Sequence, residues 1–143
     1  MRTLSGTPDM TWLTGPHDLH PFGSSVALLA AGYAWDAVRT SEELGLATAG
    51  RLLGNAHDRD LLGPVLYSRR SHHVHWLIRS GSTADYPDGC KHLGRSYWLV
   101  APGDHALHPE AVRWLHLPEA GILTSAAWLA AALHGTRPTG GTR

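Results

Sequence analysis

Histidine and arginine are concentrated in one short stretch of this chain, between Ser68 and Ile78. The stretch reads Ser-Arg-Arg-Ser-His-His-Val-His-Trp-Leu-Ile, and its second half has the composition of a β-strand. Because side chains alternate along a strand, His73 and His75 share one face at a separation of roughly 7 Å. Imidazole and guanidinium groups can contact phosphate together, and imidazoles can also hold a metal ion. The alternative is a polar, solvent-facing hairpin edge that binds nothing.

Three arginines and one carboxylate extend this candidate site. Arg69 and Arg70 join two β-like runs, and Arg95 precedes a further β-like segment that ends in a Pro-Gly loop. Each is a candidate phosphate contact, although a pair of arginines at a hairpin tip is also typical of a solvated turn. Asp36 lies at the end of an apolar strand, where it is either a turn acceptor or helix-capping neighbour, or a metal ligand. One carboxylate is too few to hold the two divalent cations that phosphoryl transfer uses.

Composition narrows the class of protein. The 143 residues are enough for one domain with a real core, and the formal net charge of zero argues against a generally basic nucleic-acid binder. Cys90 is the one cysteine, so an internal disulfide framework and a thiolate zinc cluster are excluded. No apolar stretch has the length of a membrane span, and no signal-peptide pattern is present. We therefore expect a cytoplasmic protein without a membrane partner.

The eleven histidines are the residues on which any metal hypothesis depends. Zinc is not expected, because His72 faces away from His73 and His75 on a strand. His105 and His108 flank a later loop and would complete a site only if the fold brought them close. A histidine-liganded metal protein is thus a third hypothesis.

The elements that must position these residues follow from periodicity and from turn and cap residues. In order, we expect an irregular arm over residues 1–23, a helix over 24–32, a strand over 33–39, a helix over 40–53, a polar loop over 57–63, strands over 64–68, 72–78, 96–101 and 112–117, a helix over 124–134 and a flexible tail over 135–143. Thr40, with Glu43 three residues on, and Thr124 are the expected N-caps of the second and third helices.

This order predicts an α+β fold, with a single domain over residues 24–134. The first strand, helix and second strand form a βαβ unit, which should pair its two strands in parallel. Antiparallel hairpins follow, so we expect a four- to five-stranded mixed sheet with helices mainly on one face. Val74, Trp76 and Ile78 should face those helices, which places His73 and His75 on an uncovered face.

Motif order along the chain resembles a known family. Asp36-Ala37-Val38 follows an apolar strand, and Ser68 to His75, Gly94 to Pro102 and Arg113-Trp114 come later in that order. The arrangement is similar to the polymerase domain of the bifunctional DNA primase/polymerase family, in the archaeo-eukaryotic primase superfamily, over about residues 24–134. That family has an Asp-x-Asp pair, a Ser-Gly-Gly-x-His-like segment and a third acid before a strand with a Pro-Pro-Ser-like end.

The chain departs from the family pattern at several positions, and these departures change the activity that the resemblance implies. Val38 takes the place of the second acid, and the third acid's place falls near Lys91 or His92. Arg69 and Arg70 replace the two glycines. The resemblance then implies a small, inactive relative without a cofactor, in which Mg²⁺ or Mn²⁺ would bind only if the degenerate site at Asp36 still held it.

The leading hypothesis is weak binding of nucleotide or nucleic acid through five side chains: Arg69, Arg70, His73, His75 and Arg95. The alternative, from another class, is a small protein-interaction module, homodimeric and without catalysis. Salt dependence separates the two, because counterion release weakens only the first.

Overall fold

Strands and helices are distributed along the chain in the manner of an α+β fold, as predicted. The computed structural model describes residues 11–13, 26–102 and 111–136. Its strands are β1 (Val26–Ala30), β2 (Trp35–Ser41), β3 (Val65–Ser68), β4 (His73–Arg79), β5 (Lys91–Leu93), β6 (Trp98–Pro102) and β7 (Val112–His116). Its helices are α1 (Glu42–Leu53), α2 (Ala56–Leu61) and α3 (Ala126–Thr136), with a 3-10 turn at Thr11–Leu13. None of the helices in these ranges is long and apolar enough to cross a membrane.

Five strands form one sheet in the order β5-β2-β4-β3-β7, and every neighbouring pair is antiparallel. The predicted parallel pairing of β2 with β3 is therefore wrong, although the two strands run in the same direction. A short turn folds β4 back along β3, and β4 then pairs with β2 over seven residues, from Trp35↔Arg79 to Ser41↔His73. The one parallel link among the described residues is an isolated bridge between Ile78 and Thr124.

Helices α1 and α3 cover one face of this sheet, which we call the helix face. Val74, Trp76 and Ile78 are fully buried there and pack against residues of both helices, as the sequence predicts. Thr40 also points to this face, where its hydroxyl accepts a hydrogen bond from Trp76 Nε1 at 3.1 Å and donates one to the Val74 carbonyl at 3.2 Å. A network of this kind satisfies the polar groups that the core encloses.

The opposite face is partly covered, in contrast to the prediction of an uncovered face. Strands β1 and β6 form a separate two-stranded antiparallel sheet, the ribbon, and Leu29 and Leu99 from the ribbon pack against Ala37, Leu66 and Leu77. We call this side of the large sheet the ribbon face. The helix predicted over residues 24–32 is wrong, because Val26–Ala30 forms β1 in register with β6. A short apolar run has no period that separates strand from helix.

Helix boundaries differ from the prediction in their capping residues. Ser41, not Thr40, caps α1, since its side chain accepts a hydrogen bond from the Leu44 amide. The end of α1 at Leu53 is confirmed. The predicted loop over residues 57–63 largely forms α2, which Asn55 caps. At α3 the capping contact comes from the Ser125 hydroxyl, whereas the Thr124 hydroxyl accepts a hydrogen bond from the amide of Gly63.

The expected arm and tail lie mostly outside the described residues. Residues 11–13 and 135–136 are the exceptions, and α3 continues through the latter two. His105 and His108 also lie outside the described residues.

Two glycines of α1 provide a matched test of how closely this helix packs on the sheet. A Cβ at Gly45 would lie 2.5 Å from Thr40 Oγ1 and 2.5 Å from Val74 Cβ, whereas a Cβ at Gly50 would meet nothing within 4 Å. We expect Gly45→Ala to lower the free energy of unfolding by about 2 kcal/mol through overpacking. Gly50→Ala should raise it by roughly 0.5–1 kcal/mol, since alanine favours helix. Urea unfolding of both variants checks the prediction, and shifts in the same direction would contradict it.

Candidate functional site

A row of nitrogen-bearing side chains crosses three strands on the ribbon face. Arg39 of β2 lies directly opposite Lys91 of β5 on one side and His75 of β4 on the other. His73 projects from the same face two residues before His75, and its ring centroid lies 6.3 Å from that of His75. Neighbouring strands are about 4.8 Å apart, so the row spans about 10 Å. We call Lys91, Arg39, His75 and His73 the basic strip.

Among the residues that the structure describes, no carboxylate accompanies the basic strip on this face. Strand alternation and register direct to it the side chains of Trp35, Ala37, Arg39, Leu66, Ser68, His73, His75, Leu77, Arg79, Lys91, Leu93, Val112 and Trp114. Within the part of the chain that the structure describes, neither Arg39 nor Lys91 forms an ion pair, and Lys91 Nζ lies 5.8 Å from the centre of the Tyr97 ring. Cationic groups without counter-charges attract anions.

His75 is the most buried member of the basic strip. Its side chain is nearly buried, with 9% of the residue exposed, and its Nδ1 atom is enclosed without a hydrogen-bond partner. Burial, followed by the nearby His73 and Arg39, lowers the pKa of His75 from its ordinary value near 6.5 to about 4. Burial, followed by Arg39 and His72, also lowers the pKa of His73. Both imidazoles are therefore neutral at pH 7, and Arg39 and Lys91 carry the charge.

Arg69 and Arg70 lie next to one end of the basic strip. They are exposed in the turn that joins β3 to β4, directly after Ser68, which lies opposite His73. The Arg69 amide donates to the Ala111 carbonyl at 3.0 Å, so this turn is tied to the chain just before β7. The two predicted arginines thus extend the positive surface beyond His73.

The same turn holds His72 away from the basic strip. His72 adopts a positive φ of 63°, and its Nδ1 lies 2.8 Å from Glu42 Oε1 at the start of α1. The prediction that His72 faces away from His73 and His75 agrees with this contact.

Arg95 is at the far end of the sheet. Its Nε donates to the Gly32 carbonyl at 3.3 Å, and its guanidinium lies 4.3 Å from the centre of the Tyr33 ring. Gly32 and Tyr33 immediately precede β2, whereas the hairpin turn lies beyond the other end of that strand. Seven residues of β2 make this separation about 20 Å. Arg95 therefore does not join the other predicted contacts.

Asp36 points to the helix face and does not converge with His73 and His75. It is 5% exposed, and its carboxylate accepts hydrogen bonds from the Ser80 hydroxyl at 3.4 Å and from the Gly81 amide at 3.0 Å. His92 Nε2 lies 2.7 Å from Asp36 Oδ2. Both oxygens are thus engaged by protein groups. Across the described residues, no three His, Cys, Asp or Glu side chains come together in a way that could hold a metal ion.

A cavity of about 420 Å³ lies elsewhere, between the start of α1, the loop around Pro87 and the end of α3. Glu43 and Asp88 line it together with Ser41 and Thr136. Its carboxylates have the opposite sign to the basic strip, so the two places suit different ligands.

Arg39 and Lys91 are the members of the basic strip that were not predicted from the sequence. Alternation along β2 gives the face of Arg39 relative to Trp35, but only the register with β4 places it beside His75. Lys91 begins the three-residue strand β5, which has no signal of its own in the sequence.

Comparison of the chain with models of protein families, with curated proteins and with solved structures finds no match. The fold and the basic strip are therefore the observations from which a function can be argued.

Proposed function

We propose that the protein is a non-catalytic module that binds phosphate groups of nucleotides or single-stranded nucleic acid on the ribbon face. The observation that carries this proposal is the basic strip itself, in which Arg39 and Lys91 have no carboxylate partner among the described residues and lie beside two neutral imidazoles. Guanidinium groups form paired hydrogen bonds with phosphate, and a neutral imidazole can donate another. Arg69 and Arg70 would contact further phosphates along the same chain.

The placement of Asp36 supports binding without catalysis. Phosphoryl transfer by two metal ions needs several carboxylates around the reacting phosphate. Asp36 is on the other face of the sheet from the basic strip, and its oxygens are occupied by Gly81, Ser80 and His92. We therefore keep the relation to the primase/polymerase family as a proposal, in the form of an inactive relative.

Salt sensitivity gives the proposal a quantitative signature. If Arg39, Lys91, Arg69 and Arg70 each neutralise one phosphate of a single strand, the logarithm of the affinity falls with the logarithm of salt with a slope near −2.8. Raising salt from 50 to 200 mM would then weaken binding by roughly 50-fold. An apolar interface would not respond in this way.

The double variant Arg39→Gln/Lys91→Gln is expected to weaken binding of a fluorescein-labelled oligothymidylate by roughly 30-fold, because two charged phosphate contacts are lost. The salt slope should also fall by about 1.4. Fluorescence anisotropy at several salt concentrations measures both changes.

Arg79→Gln is the matched control, since Arg79 projects from the same face at the far end of β4, opposite Trp35. We expect it to leave both affinity and slope nearly unchanged. Equal losses in the control and the double variant would assign binding to overall charge, and an absence of binding in the wild type would refute the proposal.

A second candidate function, a homodimeric interaction module, is favoured by the outer face of the ribbon. Trp98 is 41% exposed and Val100 is 43% exposed, and the two project from the same side of β6. A large exposed aromatic beside a branched aliphatic side chain is typical of an interface. Sedimentation equilibrium tests it: a dimer that Val100→Lys dissociates, without loss of oligothymidylate affinity, would support this candidate.

A further inference from the structure

We propose that binding of an anion at the basic strip is accompanied by uptake of a proton on His75. The anion therefore binds more tightly as the pH falls. This inference rests on the proposed function, because it concerns the same side chains. It adds a form of regulation that charge attraction alone would not produce, because occupancy of the site depends on the protonation of one buried imidazole.

Within the described ranges, the surroundings of His75 contain basic side chains and no acidic ones. Arg39 faces it from β2, with Lys91 beyond Arg39 on β5, and His73 faces it on its own strand. From β3 its neighbour is Leu66, which in turn lies opposite Trp114 of β7.

The ribbon also brings no charge to this place, since it presents apolar side chains, among them Leu29, Leu99 and Ala101. Among the described residues, every charged or titratable group that faces His75 thus opposes a second positive charge.

A bound anion would favour the protonated form of His75. In the free protein, burial together with His73 and Arg39 keeps the pKa of His75 at about 4. A negative charge within about 4–6 Å favours the protonated form and raises such a pKa by roughly 1–3 units. Linkage is reciprocal, so protonation of His75 must raise the affinity for the anion by the same factor by which the anion raises the affinity of His75 for a proton.

His75 is placed to carry this proton, because it lies directly opposite Arg39 and beside His73, within the row of side chains that an anion would contact. Its Nδ1 atom has no hydrogen-bond partner among the described residues, so no protein group fixes which ring nitrogen carries the proton of the neutral form. Protonation converts both nitrogens into donors, which suits an imidazole covered by an anion and not one covered by cations. His73 is more accessible than His75, so solvent screens its interaction with the anion more strongly, and its share of the proton uptake is smaller.

Isothermal titration calorimetry tests the inference with thymidylyl-thymidine, a dinucleotide whose single diester phosphate stays ionised throughout the range. Titrations at pH 7.5 and pH 5.0, in buffers of different ionisation enthalpy, yield both affinity and protons taken up. We expect roughly tenfold tighter binding at pH 5.0, which follows from a pKa rise of about two units. Net proton uptake should accompany binding at pH 5.0 and vanish at pH 7.5.

Two variants assign the proton. His75→Gln keeps a hydrogen-bonding side chain but cannot be protonated, so most of the tenfold pH effect and of the proton uptake should be lost, with a small remainder from His73. His57→Gln is the matched control, because His57 is exposed on α2 away from the ribbon face, and it should behave as the wild type does. Proton uptake in His75→Gln as large as in the wild type would overturn the inference.

A measurement on the wild-type protein covers the case in which His75→Gln does not fold. Imidazole ¹⁵N chemical shifts at pH 5.0, with and without sodium sulfate as a fully ionised probe, report the charge of His75 directly. The inference requires a neutral ring without sulfate and a protonated ring with it. Binding of the dinucleotide with no proton uptake and no change at His75 would refute the inference and leave the proposed function standing. No binding at either pH would refute both.

Discussion

Lowering the pH from 7 to 5 is expected to remove about 2 kcal/mol from the free energy of unfolding through His75 alone. Its pKa is about 4 in the folded protein and about 6.5 in an unfolded chain, so the unfolded state binds more protons between these values. The stability is complete above pH 6.5, falls as the pH drops towards 4, and changes no further below 4 through this residue. Burial is the main cause, because it disfavours the charged imidazole.

Urea unfolding at pH 7, 6 and 5 measures this loss in the wild type and in His75→Gln. The variant's stability at pH 7 serves as its own reference, so that only the loss on acidification is compared. Burial also lowers the pKa values of His73 and His116, which leaves some acid sensitivity in the variant. A His75→Gln protein that loses as much stability as the wild type would show that His75 is not held neutral by the fold.

Acid lability and ligand binding are linked through the same imidazole. A basic strip without carboxylates attracts an anion, and its charges also make protonation of His75 costly when the anion is absent. An anion at the strip would relieve that cost and stabilise the folded protein most in mildly acidic solution. A carboxylate placed beside Arg39 would reduce the acid sensitivity, but it would also compete with the ligand.

The sequence predicts which side chains of β4 share a face. It does not predict which side chains of the other strands lie on the same face as His75. Alternation alone assigns Trp76 to the core and His75 to the other side, and both assignments are confirmed. Whether Asp36 or Arg39 of β2 joins His75 depends on the register between two strands more than thirty residues apart. A shift of one residue would exchange them, because side chains alternate with a period of two.

Strand order was the other feature that local pattern does not determine. The helix between β2 and β3 favours a parallel pair, and the short turn between β3 and β4 favours a hairpin, so both patterns compete for the same edge of β3. The hairpin forms, and β4 takes the place beside β2. The ribbon was not predicted for a related reason: β1 forms a strand because it pairs with β6, about seventy residues later in the chain.

Replacement of Asp36 by alanine is expected to lower the free energy of unfolding by about 3 kcal/mol. Its carboxylate is nearly buried and joins β2 to the Gly81 amide after β4 and to His92 on β5. Removing it leaves the amide and the imidazole without their acceptor in a partly buried place, and that desolvation cost dominates the loss. His92 is 31% exposed on its side chain, so water replaces part of its contact and keeps the loss from being larger.

Thermal and urea unfolding of Asp36→Ala, Asp36→Asn and Asp60→Ala test this role. Asparagine keeps one acceptor oxygen but presents an amide group to the other donor, so we expect about half the loss seen with alanine. Asp60 is exposed on α2, and its replacement should change stability by no more than about 0.5 kcal/mol. If Asp36 served a ligand instead of the fold, its replacement would leave stability unchanged and weaken oligothymidylate binding. The opposite result, with stability lost and affinity per folded molecule retained, follows from a carboxylate that faces the helices while the basic strip faces the ribbon.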